Sequence, residues 1–453
     1  MSTPLDLIVR GGEVVTPQGL HKADVGIAGG RIVSVSPEIA ESAAATINAA
    51  GKWVFPGIID AHVHFNEPGR ADWEGLSSGP AALCAGGGTV FFDMPLNSEP
   101  PAINTDALNR KRAIAEKKSC IDFALWGGLV PGNLDALEGL RDAGAVGLKA
   151  FMCASGIDSF PAVDDLTLRE GMKRAAELGM IVAVHAEDEA SAARLTAEQR
   201  ERGRTDVRGW LDSRPLEIEL SAIRTAIGTA ALTGCALHIV HVTSPEGIAL
   251  VTEAKGRGVN VTAETCPHYL LLSDDDVIRF GAPAKCAPPL RDETRRRGMW
   301  RELAAGAIDT VGSDHSPAPS EMKTSEDFFA IWGGIAGCQH GFELLFTEAR
   351  ARIDELFPRL AAVLAANVAK RFGLAGTKGE IAEGRDADLC IVEPVEERTI
   401  DAAELLTRHR ISPYIGRRSR ARILHTLVRG FPVFSSGKLT GGAPRGQFLV
   451  PKR

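Results

Sequence analysis

No two cysteines in this chain are spaced C-x-x-C; the eight, at positions 84, 120, 153, 235, 266, 286, 338 and 390, are scattered. That excludes a zinc finger, argues against a disulfide framework, and fits the reduced thiols of a cytoplasmic protein. No apolar run approaches the roughly 18 residues that cross a bilayer. Asp6, Arg10 and Glu13 fall where a secretory leader would need an unbroken apolar stretch. Positive charge is not in excess: 51 Lys and Arg against 58 Asp and Glu leave a formal net charge of −7. A net-negative surface attracts neither nucleic acid nor an anionic membrane, so neither is expected as a partner. What is present is ordinary globular composition, 44% hydrophobic and 24% charged, which excludes wholesale disorder. At about 150 residues per domain, 453 residues hold about three domains, or one large barrel with a smaller unit.

The two ends of the chain read alike. Leu5–Val9, Asp24–Ile27 and Arg31–Val35 are short β-rich runs, the last two joined by a Gly29-Gly30 hairpin turn; Asp388–Val392 and Ile423–Val428 are similar runs near the C-terminus. Neither end has strands enough for a stable sheet, so the two are expected to build one composite β-sandwich. Between them, apolar runs at 54–62, 89–95, 121–129, 146–152, 181–187, 237–244, 259–266 and 308–314 alternate with amphipathic stretches such as 107–117, 166–178 and 218–232. Eight strand–helix units in about 260 residues match a (β/α)8 TIM barrel of the α/β class. An open doubly wound sheet is the rival, and no G-x-G-x-x-G follows the first strand to favour it. The expected division is 1–53 for the N-terminal part of the sandwich, 54–374 for the catalytic barrel, and 375–453 for the C-terminal part and tail.

In such a barrel, reactive groups gather at the C-terminal ends of the strands. The first strand ends Asp60-Ala61-His62-Val63-His64, and alternation puts His62 and His64 on one face. The fourth carries Lys149, the fifth ends at His185, the sixth carries His241, and the eighth ends at Asp314. One histidine at a strand end is unremarkable as a packed core residue. A lone lysine there could snorkel or pair, and an aspartate could cap a helix. Six metal-competent groups at the same end of one barrel point instead to a metal site. His238, three residues before His241, is expected on the opposite face of its strand, and His21, His340, His409 and His425 lie outside the set. His268 and His315 adjoin it and are read as supporting it from behind.

A protonated lysine cannot bind a cation. Desolvation and nearby divalent charge lower its pKa from about 10.4, and a free amine adds carbon dioxide to give a carbamate with two oxygen ligands. Four imidazoles, one bridging carbamate and one carboxylate then suit two zinc-like ions about 3.5–4 Å apart. Cobalt, iron or manganese suit the same donors.

At these residues the chain resembles the amidohydrolase superfamily, in the cyclic amidase branch that holds dihydroorotases, hydantoinases or dihydropyrimidinases, and allantoinases. The resemblance covers nearly the whole chain: His62-x-His64, Lys149, His185, His241, the run 265–269 (TCPHY), the run 313–317 (SDHSP), and Gly384-Arg385-Asp386-Ala387-Asp388. It implies that Lys149 is carbamylated (N6-carboxylysine) and bridges two divalent ions, one held by His62, His64 and Asp314, the other by His185 and His241. Dihydroorotases generally follow the histidine pair with an arginine that grips a substrate carboxylate, whereas here Phe65-Asn66 follow, which disfavours an anionic substrate. Hydantoinases usually place a tyrosine five residues after the lysine; here that residue is Ala154, and the only tyrosines are Tyr269 and Tyr414.

The segments 67–75 (EPGRADWEG), 94–98 (MPLNS), 317–323 (PAPSEMK) and 332–335 (WGGI) look like those of the allantoinase branch. The expected reaction is therefore opening of the cyclic amide of allantoin to allantoate, a step of purine degradation, with a broader hydantoinase-type hydrolase or a non-catalytic scaffold as alternatives. Metal-activated hydroxide would attack the ring carbonyl, and Asp314 would take its proton and return it to the leaving nitrogen. Expected substrate contacts by resemblance are Asn97, Ala287, Ser316 and Gly334; Asn97 reads equally as a turn former before Ser98 and Pro100-Pro101. Cys153, four residues after Lys149, is read as structural, and a homotetramer is the assembly common in the family.

Overall fold

The computed structural model describes residues 4–352 and 356–453. Eight parallel strands run Ile58–Val63, Gly88–Asp93, Asp122–Leu125 continued by Gly127–Gly128, Leu148–Phe151, Ile181–His185, Ala236–Ile239, Val261–Thr265 and Thr310–Val311. Each pairs in parallel with the next. Trp126 interrupts the third strand but still donates its N–H to Asp93 O at 3.1 Å, so the ring is not broken there. It closes where Val63 pairs in parallel with His315 and His64 N–H donates to His315 O at 2.8 Å. The result is the (β/α)8 barrel the alternation implied. Its strands are buried on both faces, which is why they read as apolar runs.

The helices between them start where the sequence supplies a cap. Asn104, Asp164, Ser244 and Asp292 each accept an N–H three residues on, opening Thr105–Lys118, Asp165–Glu177, Pro245–Gly256 and Glu293–Ala305. Leu216–Thr233 stops at Gly234, whose φ of +70° only glycine adopts freely. No helix among the described residues is long and apolar enough to cross a membrane.

Both chain ends join in one sheet of nine strands: Leu5–Thr16, Gly19–Ala28, Arg31–Ser36, Ala43–Asn48 and Trp53–Pro56 from the N-terminal side, and Leu389–Thr399, Arg418–Val428, Phe431–Ser435 and Lys438–Leu439 from the C-terminal side. The sheet folds around a core of its own, including Val9, Val25, Ile27, Val54, Leu389 and Leu427. The run 54–62, read as one strand, is two. Trp53–Pro56 pairs antiparallel with Leu389–Thr399, and the barrel strand begins at Ile58. Gly57 makes the switch, because a Cβ there would stand 2.3 Å from Thr89 Oγ1. Both halves are buried, so hydrophobicity alone does not mark the break.

Barrel and sheet are tied through charge. Lys378 Nζ lies 2.7 Å from Asp122 of the third barrel strand, 2.7 Å from Asp388 and 2.9 Å from Asp386. The Asp386-Ala387-Asp388 motif is therefore a fastening for the chain's return to the sheet.

Candidate active site

The six expected residues fall into two neighbouring groups at one end of the barrel. His62 Nε2 and His64 Nε2 lie 3.2 and 3.4 Å from Asp314 Oδ1. Each ring is turned that way by what holds its other nitrogen: His62 Nδ1 is 2.7 Å from Glu264 Oε1, and His64 Nδ1 is 2.9 Å from Leu96 O. His185 Nε2 is 2.9 Å from Glu187 Oε2, which leaves Nδ1 free for a ligand. The His241 ring meets His185 edge-on, centroids 4.6 Å apart, and lies 5.5 Å from His62. His241 and Asp314 have φ of +43° and +45°, left-handed values that non-glycine residues adopt at a cost of order 1–3 kcal/mol. Such backbone is what turns both side chains inward just past their strands.

Lys149 stands in register with Ala183 on the adjacent strand. It is fully buried, and its Nζ has no hydrogen-bond partner among the described residues. Burial brings its amine down to about 8, with Asp314 and Glu264 pulling the other way. Burial, then the Lys149 cation, hold His62 well below the usual histidine range; burial and His185 do the same for His241. His185 is lowered too, by burial, against the pull of Glu187. The imidazoles of His62, His185 and His241 are thus held neutral and free to donate lone pairs. Burial raises Glu264 to about 8, opposed by Lys149.

These features fit a pair of divalent ions. His62, His64 and Asp314 offer ligand atoms within 4.8 Å of one another, and His185 stands in a second such group with Cys153 and Glu187. An orphaned amine sits among them. Burial pushes the Cys153 thiol well above its ordinary range.

Asn97, Ala287, Ser316 and Gly334 all line the same cleft as the histidines and Asp314. Asn97 Nδ2 donates to Asn66 Oδ1 at 3.1 Å, which holds its amide in place. Ala154, where hydantoinases carry a tyrosine, also lines the cleft.

Sequence reasoning missed the carboxylates behind the histidines. Glu264 spans His62 and His238, its Oε2 lying 3.5 Å from His238 Nε2. Glu187 also receives Arg214 Nη1 at 2.8 Å; burial disfavours its charge, but Arg214 and His185 outweigh that and hold it down to about 2. A signal existed for Glu264: it stands immediately before Thr265-Cys266-Pro267, one residue from the end of its strand. Glu264→Gln should weaken metal retention about 10- to 100-fold, measured by titrating metal into stripped protein.

One expectation is corrected. His238 does not face away from the site: it is in register with Ala183, which is in register with Lys149, so all three face the barrel interior. Its strand ends at Ile239, and the left-handed turn at His241 breaks the alternation that was counted through it. His315 packs 3.3 Å from Glu74 and helps close the barrel; His268 is buried against Tyr269.

The amidohydrolase family profile matches residues 53–433. The chain belongs to the amidohydrolase family, and is an enzyme of its metal-dependent kind. Within that family it is 50% identical over 448 residues to the allantoinase of Deinococcus radiodurans, covering 99% of both chains. It is also 50% identical to the allantoinase of Rubrobacter xylanophilus, covering 99% of this chain and 98% of that one. Among solved structures it superposes on the L-hydantoinase (dihydropyrimidinase) of Arthrobacter aurescens with a TM-score of 0.96 at 33% identity, covering 98% of this chain and 100% of that one. For the D-hydantoinase (dihydropyrimidinase) of a Thermus species the TM-score is 0.91 at 28% identity, covering 98% of this chain and 99% of that one.

Proposed function

We propose that this chain hydrolyses the ring amide of allantoin to give allantoate, using two divalent ions bridged by a carboxylated Lys149. The observation that carries the reading is the Lys149 amine, fully buried and without a hydrogen-bond partner among the described residues, amid the neutral imidazoles of His62, His185 and His241. An amine lowered to about 8 has a neutral fraction at cell pH. That fraction adds carbon dioxide and releases one proton, turning a cation that opposes metal binding into an anion that favours it. His62, His64 and Asp314 would hold one ion and His185 and His241 the other. Zinc is the proposed metal, with cobalt, iron and manganese compatible with the same donors.

When bound, the ions supply a hydroxide nucleophile at neutral pH and polarise the ring carbonyl. The chain's own residues do the rest. Oδ1 of Asp314 lies between the two imidazoles, leaving Oδ2 to accept the nucleophile's proton and return it to the departing ring nitrogen. Glu264 and Leu96 O fix the rings of His62 and His64, so no reorganisation is needed during attack. Asn97, Ser316, the backbone at Ala287 and the remaining lone pair of Gly334 O offer neutral hydrogen-bonding groups, which suit an uncharged ring with a ureido arm. The likeness to allantoinases favours this substrate over other cyclic amides.

In the same reading, the catalytic domain begins at Ile58 rather than at 54 and runs to 374, flanked by the two parts of the sandwich on its N-terminal side and at 375–453, and the enzyme works as a homotetramer in the cytoplasm. The decisive experiment is a ring-opening assay. Allantoin should be turned over much faster than dihydroorotate or dihydrouracil, and a chelator should abolish the activity. A faster rate on dihydrouracil or simple hydantoins would move the assignment to the hydantoinases, and chelator-resistant turnover would remove the metal from it.

A further inference from the structure

One wall of the cleft carries two adjacent glycines. Trp332, Gly333 and Gly334 line it. Gly333 has open space where a side chain would stand, while a Cβ on Gly334 would come within 2.2 Å of Ser316 O. The segment leading here holds one short helical turn, Phe328–Ala330, and gains a strand-like bridge only at Ile335, to His315. Regular secondary structure therefore does little to set where residues 331–334 lie.

Two lysines do it instead. Lys285 Nζ donates to Phe328 O at 2.6 Å, Ile331 O at 2.5 Å and, more weakly, Phe329 O at 3.4 Å. Lys323 Nζ donates to Trp332 O and Gly334 O at 2.8 Å each, and to Ala282 O at 3.3 Å. An ammonium has three protons, and each lysine meets three carbonyls. The main chain beside them joins in: Gly334 N–H donates to Lys285 O at 2.8 Å, and Trp332 N–H to Met322 O at 3.0 Å. Lys285 is only 4% exposed. Buried lysines ordinarily pair with carboxylates, yet neither of these is in an ion pair among the described residues; all of their donors go to main-chain oxygens. Between them, the two lysine side chains fasten five carbonyls of a seven-residue segment that faces the reacting centre.

We infer that Lys285 and Lys323 are positioning residues that fix the 332–334 wall at the spacing a substituted ring requires, and so set substrate specificity without touching the metal centre. The inference rests on the reading of this cleft as a cyclic-amide site. Such a wall can meet the amide edges of a ring and its ureido arm through Gly333 and through the second lone pairs of the carbonyls the lysines hold, but only if its atoms stay within a fraction of an ångström of their places. An unsubstituted hydantoin, lacking the arm, reaches less of that wall and depends on it less.

The test uses the full-length metal-loaded enzyme, with Lys285→Met and Lys323→Met made separately. Lys323 is only half-buried, so its variant keeps the test alive if Lys285→Met does not fold. Metal content should match wild type. KM for allantoin should rise about tenfold or more while kcat stays within about threefold, and KM for hydantoin should change less. Hydrogen exchange of the 328–335 amides, read by mass spectrometry, should speed up while the barrel strands keep their protection. Lys285→Arg, which retains the charge and the donors, should recover part of the loss. Unchanged exchange in 328–335, or equal losses on allantoin and hydantoin, would overturn the inference. If wild type proved inactive on allantoin but opened another cyclic amide, the substrate reading alone would fail. The exchange data, and KM for that amide, would then decide the role of the two lysines.

Discussion

Lys149→Ala should leave purification with most of its metal missing and with kcat/KM for allantoin lowered about ten-thousandfold or more, since both the bridge and the activated nucleophile go with it. The side chain removed is fully buried and its Nζ has no hydrogen-bond partner among the described residues, so no hydrogen bond of the fold is broken. What remains is a cavity beside His62, His185 and His241, relieved of the cation that now disfavours their protonation. A short carboxylic acid or bicarbonate, small enough to enter that space, should restore part of both metal and rate by supplying two oxygens where the carbamate stood. Metal analysis and steady-state kinetics with added acetate, propionate and bicarbonate check this. Undiminished turnover in the variant would end the carbamate proposal.

Asp314→Asn separates the proton's carrier from the metal's anchor. An amide keeps one oxygen between His62 and His64, so part of the metal should stay. Its nitrogen cannot take a proton, and kcat should drop about 10²- to 10⁴-fold with KM little altered. A variant turning over at the normal rate would assign the proton to another group. Loss of all metal would mean that the carboxylate's charge, not its basicity, is what the site chiefly needs.

The barrel and most of the candidate site were legible in the sequence for one physical reason: strands buried on both faces must be apolar, so ionisable residues at their ends stand out. His62, His64, Lys149, His185, His241 and Asp314 stand out as candidates in that way. Period-two counting failed where the backbone leaves the extended region, at His241, and so misjudged His238. It also merged Trp53–Pro56 with Ile58–Val63, because both are buried and a single glycine divides them. Glu187, Lys285 and Lys323 could not be singled out. A carboxylate behind an imidazole, or an ammonium under a loop, is defined by what it meets across the fold, as Lys285 is with residues 43 and 46 positions away.

The strand Trp53–Pro56 lies between Leu5–Thr16 and Leu389–Thr399 in the composite sheet. A ribosome therefore releases the first strands long before the neighbour that covers their open side exists, and that side waits while the whole barrel is synthesised. Non-local pairing of this kind is slow to form. Until then the backbone edge of Trp53–Pro56 is an invitation to any other extended chain. Messages cut short ahead of Leu389 would leave that invitation standing, and their products should clump rather than accumulate as working barrels.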